Sequence, residues 1–331
     1  MTAPRRHPSG DCGRGAAVGW PSRPPRPIAM NRTLASIAAS IALVSASSSF
    51  PQAAPDFSKV EIKATQLAPD FWTLEGQGGT ISVLTGSDGI LLVDSQFAPL
   101  TDRLVAAIRK FSDKPIRFLV DTHVHPDHVG GNANFAKLGA TIFARDQLRW
   151  RLEHPNGAPD GTPGKPAPEQ ALPVVTYNAS LSIHVDGEDV RLLPVVAAHT
   201  DGDTVVSFPG HDIIAAGDIF RSVGYPYVDL ASGGTLAGIL EGLSEIVDRS
   251  GPATKIIPGH GPIVDRNAVL AQRDLILAVR AKVLKLIEQG KTIDEAVAAH
   301  PTAEFDARVP QAAQTADRFV RWVYAEVAAN R

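Results

Sequence analysis

The stretch VDTHVHPDHVGG, residues 120–131, places three histidines and two aspartates in twelve positions and closes on two glycines. His123 and His125 stand two apart at the end of an apolar run, so in extended backbone both side chains project to the same side. Pro126 ends strand pairing and suits the first turn of a helix, which carries Asp127 and His128 onward. As neighbours these two diverge, and they cannot serve quite the same ion as the first pair. Gly130 and Gly131 let backbone pass close to the group. The cluster therefore reads as half of a two-metal site. Imidazole and carboxylate without thiolate point to zinc, with iron or manganese also compatible.

A full site needs more donors, and the sequence offers them at the ends of apolar runs. His199 follows RLLPVVAA, Asp218 follows HDIIAAG, and His260 sits in IIPGHGP. His154, His184, His211 and His300 have no such context and read as solvated polar groups. The carrying elements follow from periodicity. ISVLTG (81–86) and GILLVDS (89–95) read as strands joined by a Ser87-Asp88-Gly89 turn, and IRFLVDT (116–122) is a strand entering the cluster. Helical spacing predicts a helix over 98–112, with Thr101 as its N-cap. GATIFA (139–144) reads as a strand, with a helix near 145–153. Further strands are expected at 174–177, 181–185, 189–196, 204–208 and 212–216. After residue 234 the period turns helical. Helices are expected at 235–250, at 265–290 (capped by Asp265, closed by Gly290), after a Thr292/Glu295 capping box, and at 311–329. Between 154 and 173 nine of twenty residues are Pro or Gly, which excludes regular structure. That loop is either a flap over the cluster or an insertion without a role.

The set His123-x-His125-x-Asp127-His128, then His199, Asp218 and His260, resembles the metal-binding motifs of the metallo-β-lactamase-fold hydrolases. The likeness runs from about residue 57 to 262, with Asp94 in LLVDS matching that family's early aspartate. The resemblance implies an α/β fold, a four-layer αββα sandwich with the site at one edge and helices at the C-terminus. It assigns His123, His125 and His199 to one zinc, and Asp127, His128 and His260 to a second. Asp218 would bridge both, and Asp94 would support the ligands from behind. Two zincs imply a bridging hydroxide that opens a small cyclic amide or ester, β-lactam or lactone, with Asp127 orienting it and relaying a proton. One departure bears on substrate. β-Lactamases that use a cysteine at the second metal carry it where this chain has Asp218. Arg221 nevertheless stands three residues on, where it could take a substrate carboxylate; a solvated ion pair is the alternative. Tyr225 and Tyr227 either wall the substrate pocket or pack in the core. A glyoxalase II-like thioesterase and a mononuclear-iron, persulfide dioxygenase-like oxidoreductase share the fold and stand as alternatives.

Composition narrows these. The chain has 331 residues, enough for one large core, and its only cysteine is Cys12, so a thiolate nucleophile in the body is excluded. Residues 1–29 hold five arginines and one aspartate, a net +4, which leaves −7 on the rest of a chain totalling −3. An acidic body is a poor match for nucleic acid, and a small-molecule substrate is expected. Residues 30–54 have the layout of a secretory signal peptide, an Arg32 n-region, an apolar stretch from Leu34 to Val44, then small residues, with cleavage near Ala46 or Ala54. The expected organisation is an extension over 1–29 (disordered, or a misassigned start), a signal at 30–54, and a hydrolase domain over 55–331 whose last part, 265–331, is helical. An exported protein, periplasmic or secreted, without a stable membrane anchor follows. Export argues against a glutathione-dependent thioesterase, and a complete second metal site including His260 argues against the single-iron dioxygenase.

Overall fold

The structure, a computed structural model, describes residues 56–157 and 161–329, so the signal segment proposed at 30–54 and the extension before it lie outside the described residues. Two sheets dominate. The first holds β1 (Lys63–Ala68), β2 (Phe71–Glu75), β3 (Ile81–Gly86), β4 (Gly89–Val93), β5 (Ile116–Val120), β6 (Thr141–Arg145) and β7 (Val175–Tyr177) in sequence order. Its first four strands are antiparallel and β4 to β7 are parallel. The second sheet runs β12 (Lys255–Ile257), β11 (Ile213–Ala215), β10 (Thr204–Phe208), β9 (Glu188–Pro194), β8 (Leu181–Val185). Only β11 and β12 are parallel there.

Side-chain alternation decides how the layers stack. Leu91 and Val93 of β4 point inward with Phe71, Leu84 and Val120, and meet Val190, Leu192, Val206 and Phe208 of the other sheet. Ile90 and Leu92 point outward, onto Leu104 and Ile108 of α1 (Thr101–Ile108) and Phe135 of α3 (Asn132–Lys137). The outer face of the second sheet, with Val205, Ile214 and Ile256, is covered by α5 (Leu236–Arg249), α6 (Arg266–Glu288) and α9 (Ala312–Ala329). Each fully buried Leu or Ile here contributes about 1.5–3 kcal/mol. The result is the αββα sandwich expected from the sequence. Short helices α2 (Pro126–Val129), α4 (Asp146–Glu153), α7 (Ile293–Ala298) and α8 (Ala303–Asp306) complete it.

Asp265 caps α6 and the Thr292/Glu295 capping box forms, both as expected, and the structure adds Thr235 as the cap of α5. One cap is corrected. Thr101 is the first residue of α1 rather than its N-cap, because a 3-10 turn over Ala98–Leu100 starts the helix and Thr101 Oγ1 donates back to Ala98 O. That helix also ends at Ile108 instead of 112. In the Pro/Gly-rich loop, the Asn156 amide donates to Ala231 O and Ala171 O accepts from Asn132, which pins both ends of the described loop to the body.

Candidate metal centre

The ends of β4, β5, β11 and β12 reach one edge of the sandwich, and each carries polar residues just past its last apolar position. Beyond Val93 comes Asp94, in left-handed backbone with φ 68°. Such a conformation costs on the order of 1 kcal/mol and must be held by its surroundings. Its N–H donates to Val120 O, and its carboxylate accepts three hydrogen bonds. Oδ1 takes the Thr122 N–H at 2.7 Å, and Oδ2 takes the Thr122 hydroxyl at 2.8 Å and His128 Nδ1 at 2.7 Å. Past Val120 the chain delivers His123 and His125, and α2 turns Asp127 and His128 toward the same space.

All seven residues singled out as donors converge, in three overlapping groups whose donor atoms lie within 4.8 Å of one another. They are His123, His125 and His199; His123, His128 and Asp218; and Asp127, His128 and His260. His125 Nδ1 and His199 Nε2 face each other at 2.9 Å. Asp218 spans the two outer groups. Its Oδ1 lies 3.4 Å from His128 Nε2 and 3.3 Å from His260 Nε2, and its Oδ2 lies 3.7 Å from His199 Nε2. Asp127 Oδ2 is 3.3 Å from His260 Nε2.

The outward nitrogens of four histidines are each held by an oxygen. His128 Nδ1 meets Asp94, His125 Nε2 meets Asp229 at 2.9 Å, His199 Nδ1 donates to Tyr227 O at 2.8 Å, and His123 Nδ1 meets Thr122 Oγ1 at 3.0 Å. Because the Thr122 hydroxyl already donates to Asp94, it accepts from His123. Each bond fixes the tautomer that leaves an inward lone pair. Two inward atoms, His123 Nε2 and Asp218 Oδ1, are buried with no hydrogen-bond partner in the protein. Lone pairs facing one another, and buried acceptors without donors, fit a cation as their common partner.

Without an ion the electrostatics divide the rings: burial opposes charge on His128 and His260, but Asp94 and Asp218 raise the first well above its ordinary pKa, and Asp218 and Asp127 raise the second. Burial, with the charges of nearby histidines, holds His123 well below its ordinary pKa, and burial pushes His199 down to about 4, so both are neutral at pH 7. Burial would raise Asp218, but the positive charge of His260 and of His128 overcomes it and holds the carboxylate well below its ordinary pKa. Burial likewise opposes the ionised form of Asp127, and the His260 hydrogen bond reverses the shift. Asp127 remains 23% exposed, against 3% for Asp218, so it alone of the two carboxylates reaches solvent.

Around the cluster, the Arg221 guanidinium stands 3.5 Å from Asp218 Oδ2. Tyr227 lies at the site: its ring is near-parallel to His125 at 5.8 Å and edge-on to His199 at 5.2 Å. Tyr225 does not. It is 1% exposed, stacks on Phe319, and its hydroxyl donates to Asp306 at 2.6 Å, so the substrate-wall expectation is corrected to a core role. His154, His184 and His300 lie away from the cluster, beside Trp150, Asp189 and Asp306. His211 is a correction as well: its side chain is 14% exposed, with both nitrogens bound to Glu188 and Asp70.

Four supporting residues were not found in the sequence. Asp229 stands 104 residues from His125, and nothing local marks it. Thr122 links Asp94 to His123. At Gly79 and Gly259 an added Cβ would collide with the His128 imidazole and the Asp218 carboxylate, so only glycine admits the ligands there.

Comparison with known proteins places this geometry. The chain is 24% identical over 195 residues to the metallo-beta-lactamase type 2 of Bacillus cereus, covering 59% of this chain and 71% of that one. It is 25% identical over 256 residues to a linear primary-alkylsulfatase of Pseudomonas sp. (strain ATCC 19151), and there it spans only 48% of the relative. Among solved structures, a metallo-beta-lactamase from Pontibacter korlensis superposes with TM-score 0.54 at 17% identity, over 65% of this chain and 99% of that one. An inverting sec-alkylsulfatase from Pseudomonas sp. reaches TM-score 0.57 at 18% identity, over 80% of this chain and 50% of its own length. The profile of the metallo-beta-lactamase superfamily matches residues 74–276, well over half of the sequence and all seven converging donors, and the chain belongs to that superfamily of hydrolases.

Proposed function

We propose that this protein is a binuclear zinc hydrolase that opens a small cyclic amide or ester, a β-lactam or a lactone. The observation that carries the reading is the position of Asp218, with one oxygen toward His128 and His260 and the other toward His199. His123, His125 and His199 would hold one ion, Asp127, His128 and His260 the other, and Asp218 would join them. Bound zinc would supply Lewis acidity toward a carbonyl oxygen and a water acidified toward neutral pH. Asp127, ionised and partly exposed, would accept the proton of the attacking water and return it to the leaving group. Arg221 would orient an anionic substituent of the substrate, and the Tyr227 ring would wall the approach beside His125.

A second reading is hydrolysis of a sulfate ester. It is favoured by the sec-alkylsulfatase likeness, which extends over 80% of this chain where the Pontibacter lactamase extends over 65%. One experiment separates the possibilities. Purified protein is assayed for metal content, and for turnover of a chromogenic β-lactam, an aryl lactone and an aryl sulfate, beside Asp218→Ala. About two zinc per chain are expected, falling in the variant together with a loss of at least about a hundredfold in kcat/KM. Unchanged activity in Asp218→Ala removes the bridging role, and a single iron per chain would replace the reading with an oxidative one.

A further inference from the structure

Beyond residue 276, where the family match ends, α9 brings a cation to the wall of the centre. The Arg318 guanidinium lies 4.7 Å over the Tyr227 ring and 5.0 Å over Trp322, whose rings are 4.8 Å apart. Tyr227 in turn stacks on His125, so a single aromatic ring separates Arg318 from the donor cluster. Stacking fixes the guanidinium plane and leaves its edge donors available. Among the described residues no carboxylate pairs with Arg318. Arg221 stands 3.5 Å from Asp218, whose other neighbour His199 meets the Tyr227 ring edge-on, and its Nε is buried without a hydrogen-bond partner. Both cations act on the Tyr227 phenol, and after burial the charge of Arg221 further lowers the proton affinity of Arg318. Two like charges beside one aromatic ring repel each other, and an oxyanion placed between them converts that repulsion into paired, charge-assisted hydrogen bonds.

We propose that Arg318 is the second arm of an oxyanion clamp whose first arm is Arg221, and that the substrate presents a carboxylate or sulfate to it across the Tyr227 ring. This inference rests on the hydrolase reading and names the substrate class: a small ester or amide that carries an anionic group beside its scissile bond. The selectivity is supplied by the C-terminal helix, outside the part of the chain that matches the family.

The test uses the zinc-loaded full chain as wild type, Arg318→Gln and Arg318→Lys, with inorganic sulfate titrated calorimetrically. Sulfate should bind about five- to tenfold more weakly to Arg318→Gln, the range for one charge-assisted contact at a partly exposed site. Arg318→Lys should recover part of the loss, since lysine restores the charge but not the planar fork. In kinetics, the ratio of kcat/KM for an anionic substrate to that for its neutral analogue should fall by a similar factor, carried by KM. A carboxylate-bearing lactone and an aryl sulfate, run side by side, show by the larger loss which oxyanion the clamp takes. Equal sulfate affinity in wild type and Arg318→Gln overturns the proposal, and so does an equal loss on anionic and neutral substrates. The titration needs no turnover, so a wild type that hydrolyses none of these compounds refutes the hydrolase reading while the clamp is still decided.

Discussion

Asp94→Asn isolates the most specific claim about the centre, that a carboxylate behind the donors sets a tautomer. Asparagine tolerates left-handed backbone about as well as aspartate, so the φ of 68° is preserved and only the acceptor pattern changes. The backbone N–H of Thr122 demands an acceptor at the Oδ1 position, which places the asparagine amide where Oδ2 was. That amide is a donor facing His128 Nδ1–H, and the imidazole relieves the conflict by carrying its proton on Nε2 instead. Nε2 is the nitrogen that faces Asp218 and His260, so the proton blocks the lone pair needed for an ion. Loss of such a supporting carboxylate costs about 10–100-fold in metal affinity, or about 1.4–2.7 kcal/mol. That agrees with about 1–3 kcal/mol for a buried polar group left unsatisfied. The other half of the centre keeps two of its three supports, because Asp229 still holds His125 and Tyr227 O still accepts from His199, while the Thr122 hydroxyl beside His123 loses its acceptor at Oδ2. Competition with a chromogenic chelator at neutral pH should therefore show one of two affinities weakened more than the other. Equal weakening of both, or of neither, would refute the tautomer argument.

His211 offers a test by pH. Its ring joins Asp70, in the turn between β1 and β2, to Glu188 at the start of β9, and so ties the two sheets together. Burial opposes its charge, but hydrogen bonds to Glu188 and Asp70 raise its pKa above the ordinary value. A raised folded pKa means the stabilisation is fully present below about pH 6.5 and is lost as pH rises through the folded value. The stability difference between wild type and His211→Gln, from urea unfolding, should shrink as pH rises from 6 to 9; a difference that grows would contradict the assignment. Tyr225→Phe removes a buried hydroxyl bonded to Asp306 and Thr302 O and should cost about 1–2 kcal/mol of stability. Since that ring stacks on Phe319 away from the donors, kcat/KM of the variant should stay within about twofold of wild type, and a large kinetic loss would return Tyr225 to the substrate site.

The residue types and their places along the chain already singled out the seven residues that converge. Metal-ligating side chains must sit on rigid supports, and a strand end is the most rigid place a loop residue can occupy, so His199, Asp218 and His260 announced themselves behind apolar runs. The continuous apolar run of β4 likewise marked a strand, and the capping residues of α6 and α7 act locally, within four positions of their helix. Contacts between distant segments carry no such signature. Asp229 reaches His125 across 104 positions, Gly79 admits the His128 ring from the connection between β2 and β3, and Arg318 comes to Tyr227 from the last helix. The two tyrosines make the division plain. Tyr225 and Tyr227 are two residues apart with the same chemistry, yet one packs on Phe319 in the core and the other flanks His125. Their separation depends on where α9 docks against the second sheet. Docking is a property of summed packing over many residues, which no local pattern encodes.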